Sequence, residues 1–134
     1  MSGDFAVALP TKGLILTAIL FAVAGGLHFV MPRFYLAIMP EWLPRPLLLV
    51  YVSGAFEILG ALGLLVPTTR TAAAIGLILL LLAVFPANIE MLRLAQQRGA
   101  SGLFVAACWL RLPLQPLLMY WVWRAAQSGN DLSG

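Results

Sequence analysis

Charge is what this chain has least of. Only 10% of its 134 residues are Asp, Glu, Lys or Arg, where a soluble domain carries about 25%. A water-soluble globule would lack the polar surface to cover itself, so the bilayer is the expected solvent. Cysteine is nearly absent too: Cys108 stands alone, which excludes an intrachain disulfide, a CxxC redox pair and a cysteine-cluster metal site. His28 is the single histidine, and with few acids near it no metal site is expected. The net charge of +3 is too small and too scattered for nucleic acid. The chain also has no Gly-rich phosphate loop and no nucleophile–base pair.

Apolar sequence fills the space these absences leave. Hydrophobic residues make up 62% of the chain and fall into runs near the roughly 20 residues that a spanning helix needs. Four such spans are expected, at about 12–31, 46–66, 71–94 and 103–124. The N-terminal run, with Lys12 ahead of it and Ala22-Val23-Ala24 within it, superficially fits a signal peptide; it is read as a membrane helix. The fold class is therefore all-α, an integral-membrane bundle of four transmembrane helices forming one domain over residues 1–134.

Between the first two spans, residues 32–46 hold Pro32, Pro40, Pro44 and Pro46, which forbid one continuous helix. Tyr35 and Trp42 are aromatics of the kind that settle at the headgroup level, so this segment is expected to lie along the interface or cap the bundle. A short polar-to-mixed lead ending at Pro10 precedes the first helix. The tail from Ala125 is expected to fray. Ala18, Ala22 and Gly25 form a smooth stripe that lets a neighbouring backbone approach. Thr68-Thr69-Arg70 reads as a tight turn with Thr as the N-cap of the third helix, and Pro86 predicts a kink just before Asn88.

Polar residues inside the spans carry the functional signal. Ser53 and Glu57 are four apart and share a face of the second helix; Arg111 and Gln115 do the same on the fourth. Alternate helices run in opposite directions, so the spans can be overlaid by depth. Measured from the end that holds the 1–2 and 3–4 connections, His28, Ser53, Glu57, Asn88, Arg111 and Gln115 occupy a layer from about 5 to 18 Å deep, at roughly 1.5 Å per residue. The opposite half offers essentially no ionisable group. A charge facing lipid at a helix centre costs about 2.5–3.5 kcal/mol on insertion scales. An inward Glu57–Arg111 pair is therefore expected, with Ser53, Asn88 and Gln115 meeting the remaining valences. That layer either fixes helix register or receives a ligand, and the residues alone weigh the two evenly. Glu90 points away from Asn88 and lies three residues before Arg93, which suggests a surface pair. Arg33, Arg45, Arg93 and Arg98 at one end against Lys12, Arg70 and Arg124 at the other is too small a bias to orient the chain.

Taken together, Gly25-Gly26-Leu27-His28-Phe29, the Tyr35/Pro40 segment, Ser53-Gly54-Ala55-Phe56-Glu57, Phe85-Pro86-Ala87-Asn88 and Arg111-Leu112-Pro113-Leu114-Gln115 resemble the DoxX-like family of small four-helix membrane proteins. The resemblance runs from about residue 12 to 124. It implies a multi-pass protein of the bacterial cytoplasmic membrane, and links to quinone-linked oxidoreductase complexes, to assembly of other membrane proteins, or to sterol-like lipids. The expected function is a non-catalytic accessory or binding module that holds a quinone- or lipid-like molecule. His28, Ser53, Glu57, Asn88, Arg111 and Gln115 are its candidate ligand-binding residues. The alternatives are a structural or assembly subunit, and a membrane subunit of a quinone-linked oxidoreductase. Partners in view are the lipid bilayer, a lipophilic small molecule, a second copy of the chain or a membrane complex. No cofactor motif is present; a quinone is the one cofactor the resemblance brings in.

Overall fold

A computed structural model describes residues 11–37, 39 and 41–131. The N-terminal lead, Pro40 and the last three residues lie outside that range. The described residues are all-helical, with α1 at Lys12–Val30, α2 at Pro32–Ala37, α3 at Pro46–Leu65, α4 at Arg70–Gln97 and α5 at Gly102–Asp131. The four long helices are each long and apolar enough to cross a membrane.

Local chemistry explains the boundaries. Thr11 caps α1 by accepting a hydrogen bond from the Leu14 N–H at 3.1 Å, which satisfies one of the orphan donors of the first turn. Pro32 and Pro46 occupy first-turn positions of α2 and α3, where the missing N–H costs nothing. The proline-rich segment therefore contains one short helix that the sequence reading did not expect. At the end of α4 the chain turns on Gly99, whose φ of 63° suits a residue without Cβ. The Ala100 N–H reaches back to the Ala95 carbonyl at 3.0 Å, closing the helix by a Schellman-type bond.

Three local expectations are corrected. The tail does not fray at Ala125: α5 continues to Asp131, held by burial of Ala125 and Ala126 and by Asn130 Nδ2 donating to Thr71 Oγ1 at 3.0 Å. Thr69 precedes α4 but makes no capping bond. Its hydroxyl meets the carbonyls of Gly63 at 2.9 Å and Val66 at 3.3 Å instead, closing the end of α3. Ala22 is exposed, so the close-packing stripe on α1 is reduced to Ala18 and Gly25.

The long helices pair as α1 with α3 and α4 with α5; α3 and α4 join the pairs, while α1 and α5 meet far less. One core, including Leu14, Ala18, Phe21, Leu64, Leu77 and Val122, unites all four. Toward the other end a second core of Met91, Leu92, Ala95 and Cys108 belongs to α4 and α5 alone. There the two pairs separate, and the space between them is the site.

Candidate functional site

Two glycines fix the α1–α3 pair. A Cβ on Gly25 would stand 2.7 Å from the Gly54 carbonyl oxygen, and a Cβ on Gly54 would stand 2.8 Å from the Gly25 carbonyl oxygen. Only glycine lets the two backbones approach this closely. One turn beyond each glycine lie His28 and Glu57, so this contact brings imidazole and carboxyl together. His28 Nδ1 is 3.1 Å from Glu57 Oε2 and 2.9 Å from the Ala24 carbonyl oxygen. A carbonyl only accepts, so the Nδ1 proton points at Ala24. Glu57 Oε2 is close to the imidazole but receives no aligned hydrogen bond, and it is buried.

These side chains border a cavity of about 350 Å³ between the helix pairs, within the size range of small-molecule sites. His28, Ser53, Glu57, Asn88, Arg111 and Gln115 all line it. The one-sided polar layer read from the sequence is thus gathered around a single space. Most of the remaining wall is apolar, with Phe21, Ala24, Val50, Leu81, Val84 and Leu118 among it.

The pairing inside that layer differs from expectation. Glu57 stands against His28 and not against Arg111: among the described residues no ion pair joins Glu57 to Arg111. Arg111 is exposed at the cavity rim, where its long side chain keeps the guanidinium at the edge. Its one hydrogen-bond partner among the described residues is the Met91 thioether, 3.6 Å from Nη1, a weak acceptor. Gln115 is 5% exposed. Its Nε2 donates to the Leu81 carbonyl of α4 at 2.9 Å. That bond fixes the amide orientation and leaves Oε1 buried without a partner. Asn88 is buried at the cavity wall. The expected Glu90–Arg93 pair does form, with Arg93 Nε donating to Glu90 Oε2 at 2.9 Å, away from the cavity.

Tyr35 and Met39 also line the cavity, and neither was a candidate from the sequence. The Tyr35 ring stacks on His28 with centroids 3.9 Å apart. Burial pushes its phenol above the usual range, the nearby Glu57 charge adds to this, and Arg111 opposes it. Tyr35 therefore belongs to the polar cluster and does not merely rest at a headgroup layer. The signal available in sequence was its place one turn into a helix opened by Pro32, directly after the helix that carries His28.

A buried cation lies at the opposite end, where no buried ionisable group is expected from the sequence. Arg70 is fully buried. Its Nε donates to the Leu64 carbonyl at 2.7 Å, with Nη2 at 3.5 Å from that of Leu65, so the guanidinium serves the last carbonyls of α3. Nη1 is buried without a partner. Among the described residues no group of three His, Cys, Asp or Glu side chains is placed to hold a metal ion.

The access route follows from exposure. Leu20 on α1 and Leu114 on α5 line the cavity and are 49% and 41% exposed, so the space opens through the α1–α5 seam. That seam is held shut at the other end, where Trp121 Nε1 donates to Thr17 Oγ1 at 2.6 Å. No curated protein and no solved structure matches the chain. A family model matches residues 17–126, covering every residue of the cavity wall, and on that match the chain belongs to DUF8561, a family described as a domain of unknown function.

Proposed function

We propose that this is an integral membrane protein that binds a lipophilic small molecule in the cavity between its helix pairs, as an accessory or binding module and not as an enzyme on its own. One observation carries the reading: the polar side chains at the cavity do not satisfy one another. A layer that served only to fix helix register would pair its groups, because a buried polar group without a partner costs about 1–3 kcal/mol. Here Glu57 Oε2 and Gln115 Oε1 lack hydrogen bonds, and Arg111 meets only a thioether.

The rest of the geometry supports the same use. With four helices apolar enough to cross a membrane, the α1–α5 opening faces lipid, so a hydrophobic molecule enters sideways without crossing water. The interfacial segment between α1 and α3 then sits over the cavity, with Tyr35 against His28. The DoxX-like resemblance brings in a quinone or lipid as occupant, and with it a bacterial cytoplasmic membrane.

The test is ligand retention. Protein extracted into mild detergent and examined by native mass spectrometry is expected to carry a co-purifying lipophile of a few hundred daltons. Glu57→Leu is expected to lose that adduct while remaining folded. If the adduct persists undiminished in Glu57→Leu and in Asn88→Leu, the molecule is bound elsewhere and the cavity reading fails.

A further inference from the structure

We infer that the molecule held in the cavity is uncharged and presents a hydroxyl donor to the wall, as a phenol, quinol or alcohol does. This rests on the cavity being a ligand site and sharpens what it selects.

The buried side-chain atoms at the cavity that lack a hydrogen bond are both acceptors. Glu57 Oε2 and Gln115 Oε1 are both buried and unsatisfied. The Gln115 oxygen is fixed as an acceptor, because its amide nitrogen is committed to Leu81 at 2.9 Å. His28 adds a third: with its Nδ1 proton directed at Ala24, neutral imidazole offers a lone pair at Nε2. A ketone or ester carbonyl brings acceptors only and relieves none of these. An O–H supplies the missing donor, and its oxygen accepts in turn from Arg111 or Asn88. Both oxygens belong to side chains that line the cavity.

Charge narrows the choice further. Glu57 and Arg111 border the same space without pairing with each other. A carboxylate ligand drawn to Arg111 is repelled by Glu57, and an ammonium drawn to Glu57 is repelled by Arg111. A neutral hydroxyl meets both without a net charge to desolvate. Apolar walls at Phe21, Val84 and Leu118 take the hydrocarbon. For a ring that exists in two redox forms, the hydroxylated form is retained over the dicarbonyl form.

The experiment uses two probes that differ in one donor: 4-octylphenol and its methyl ether, 4-octylanisole. Binding of each to the full chain in nanodiscs is measured by equilibrium partition, with empty nanodiscs as reference. The phenol is expected to bind at least tenfold more tightly than the ether. Gln115→Met is expected to cut that preference to about threefold. The wild-type comparison stands by itself if that variant fails to fold. Equal binding of the two probes, or tighter binding of the ether, overturns the inference and leaves the cavity as a ligand site. Binding of neither above empty nanodiscs overturns the ligand-site reading itself.

Discussion

Gly25 and Gly54 hold α1 and α3 at backbone contact, and the His28–Glu57 approach one turn further along depends on it. A Cβ on Gly54 would also meet the His28 Cβ at 2.7 Å. The first residue to move would therefore be the one that faces Glu57. The packing motif and the polar site are a single construction: close approach sets the spacing, and the spacing sets the chemistry.

Substitution at that contact is expected to be costly and local. Gly54→Val should destabilise the bundle by about 1–3 kcal/mol, the usual penalty of overpacking. Gly26→Ala is the control, since nothing lies within 4 Å of its would-be Cβ. It should stabilise by about 0.5–1 kcal/mol by removing glycine's backbone freedom from a helix interior. Reversible unfolding in mixed micelles, followed by circular dichroism, reads both. Equal effects at the two glycines would remove the special status of the Gly25–Gly54 contact.

Arg70 gives a second expectation, remote from the cavity. Arg70→Met keeps most of the hydrophobic volume but removes the bond to Leu64 at 2.7 Å. A hydrogen bond from a charged donor contributes about 1.5–3 kcal/mol, and a loss of that size is expected in the same assay. Ligand retention by the folded variant should stay unchanged, because Arg70 does not line the cavity. A neutral Arg70→Met would mean that the last carbonyls of α3 find water instead.

Tyr35 lies in α2, outside the four long helices, and its phenol is held above its ordinary value of 10.0, by burial first and the Glu57 charge second. Raising the folded-state value favours the protonated form. The associated stability is fully present below about pH 10 and is lost as pH climbs through the raised value. Ultraviolet titration of phenolate should show one late-titrating tyrosine that disappears in Tyr35→Phe. Above pH 10 the wild type should lose stability faster than that variant. If all phenols titrate together at the ordinary value, Tyr35 is not enclosed by the site.

How much of this was legible in sequence divides by the kind of information each residue carries. Helix positions were readable because apolar runs and prolines act locally; α3 begins at Pro46 where the pattern breaks. The membership of the polar layer was readable from depth alone, since antiparallel helices convert residue number into height. Partnership within the layer was not. It depends on rotation and on closeness between helices, and the close α1–α3 contact at Gly25 and Gly54 turned Glu57 towards His28 while Arg111 stayed at the rim. The burial of Arg70 escapes the sequence for a related reason. A basic residue beside a turn usually faces headgroups, but this one folds back onto the carbonyls that end α3, and sequence does not record which way a long side chain turns. Tyr35 escapes a reading by composition, because a proline-rich segment between helices has the composition of a cover, and only the stacking on His28 makes it wall.

The Thr17–Trp121 hydrogen bond at 2.6 Å closes one end of the α1–α5 seam, and under the proposed lateral entry it should govern ligand exchange as well as stability. Interhelical hydrogen bonds in membranes contribute on average about 0.6 kcal/mol, and at most about 1.7. A cycle of Thr17→Val, Trp121→Phe and the double variant should give coupling within that range. Thr17→Val retains its shape, so the cavity wall stays intact while the clamp is released. Release of 4-octylphenol into empty vesicles should then quicken, with a smaller change at equilibrium, because a looser α1–α5 seam lowers the barrier in both directions. Leu114→Trp, which enlarges the exposed rim of the same opening, should slow release. If the two substitutions shift the rate in the same direction, or neither shifts it, the ligand does not leave between α1 and α5, and the route must instead lie beneath α2 past Tyr35 and Met39.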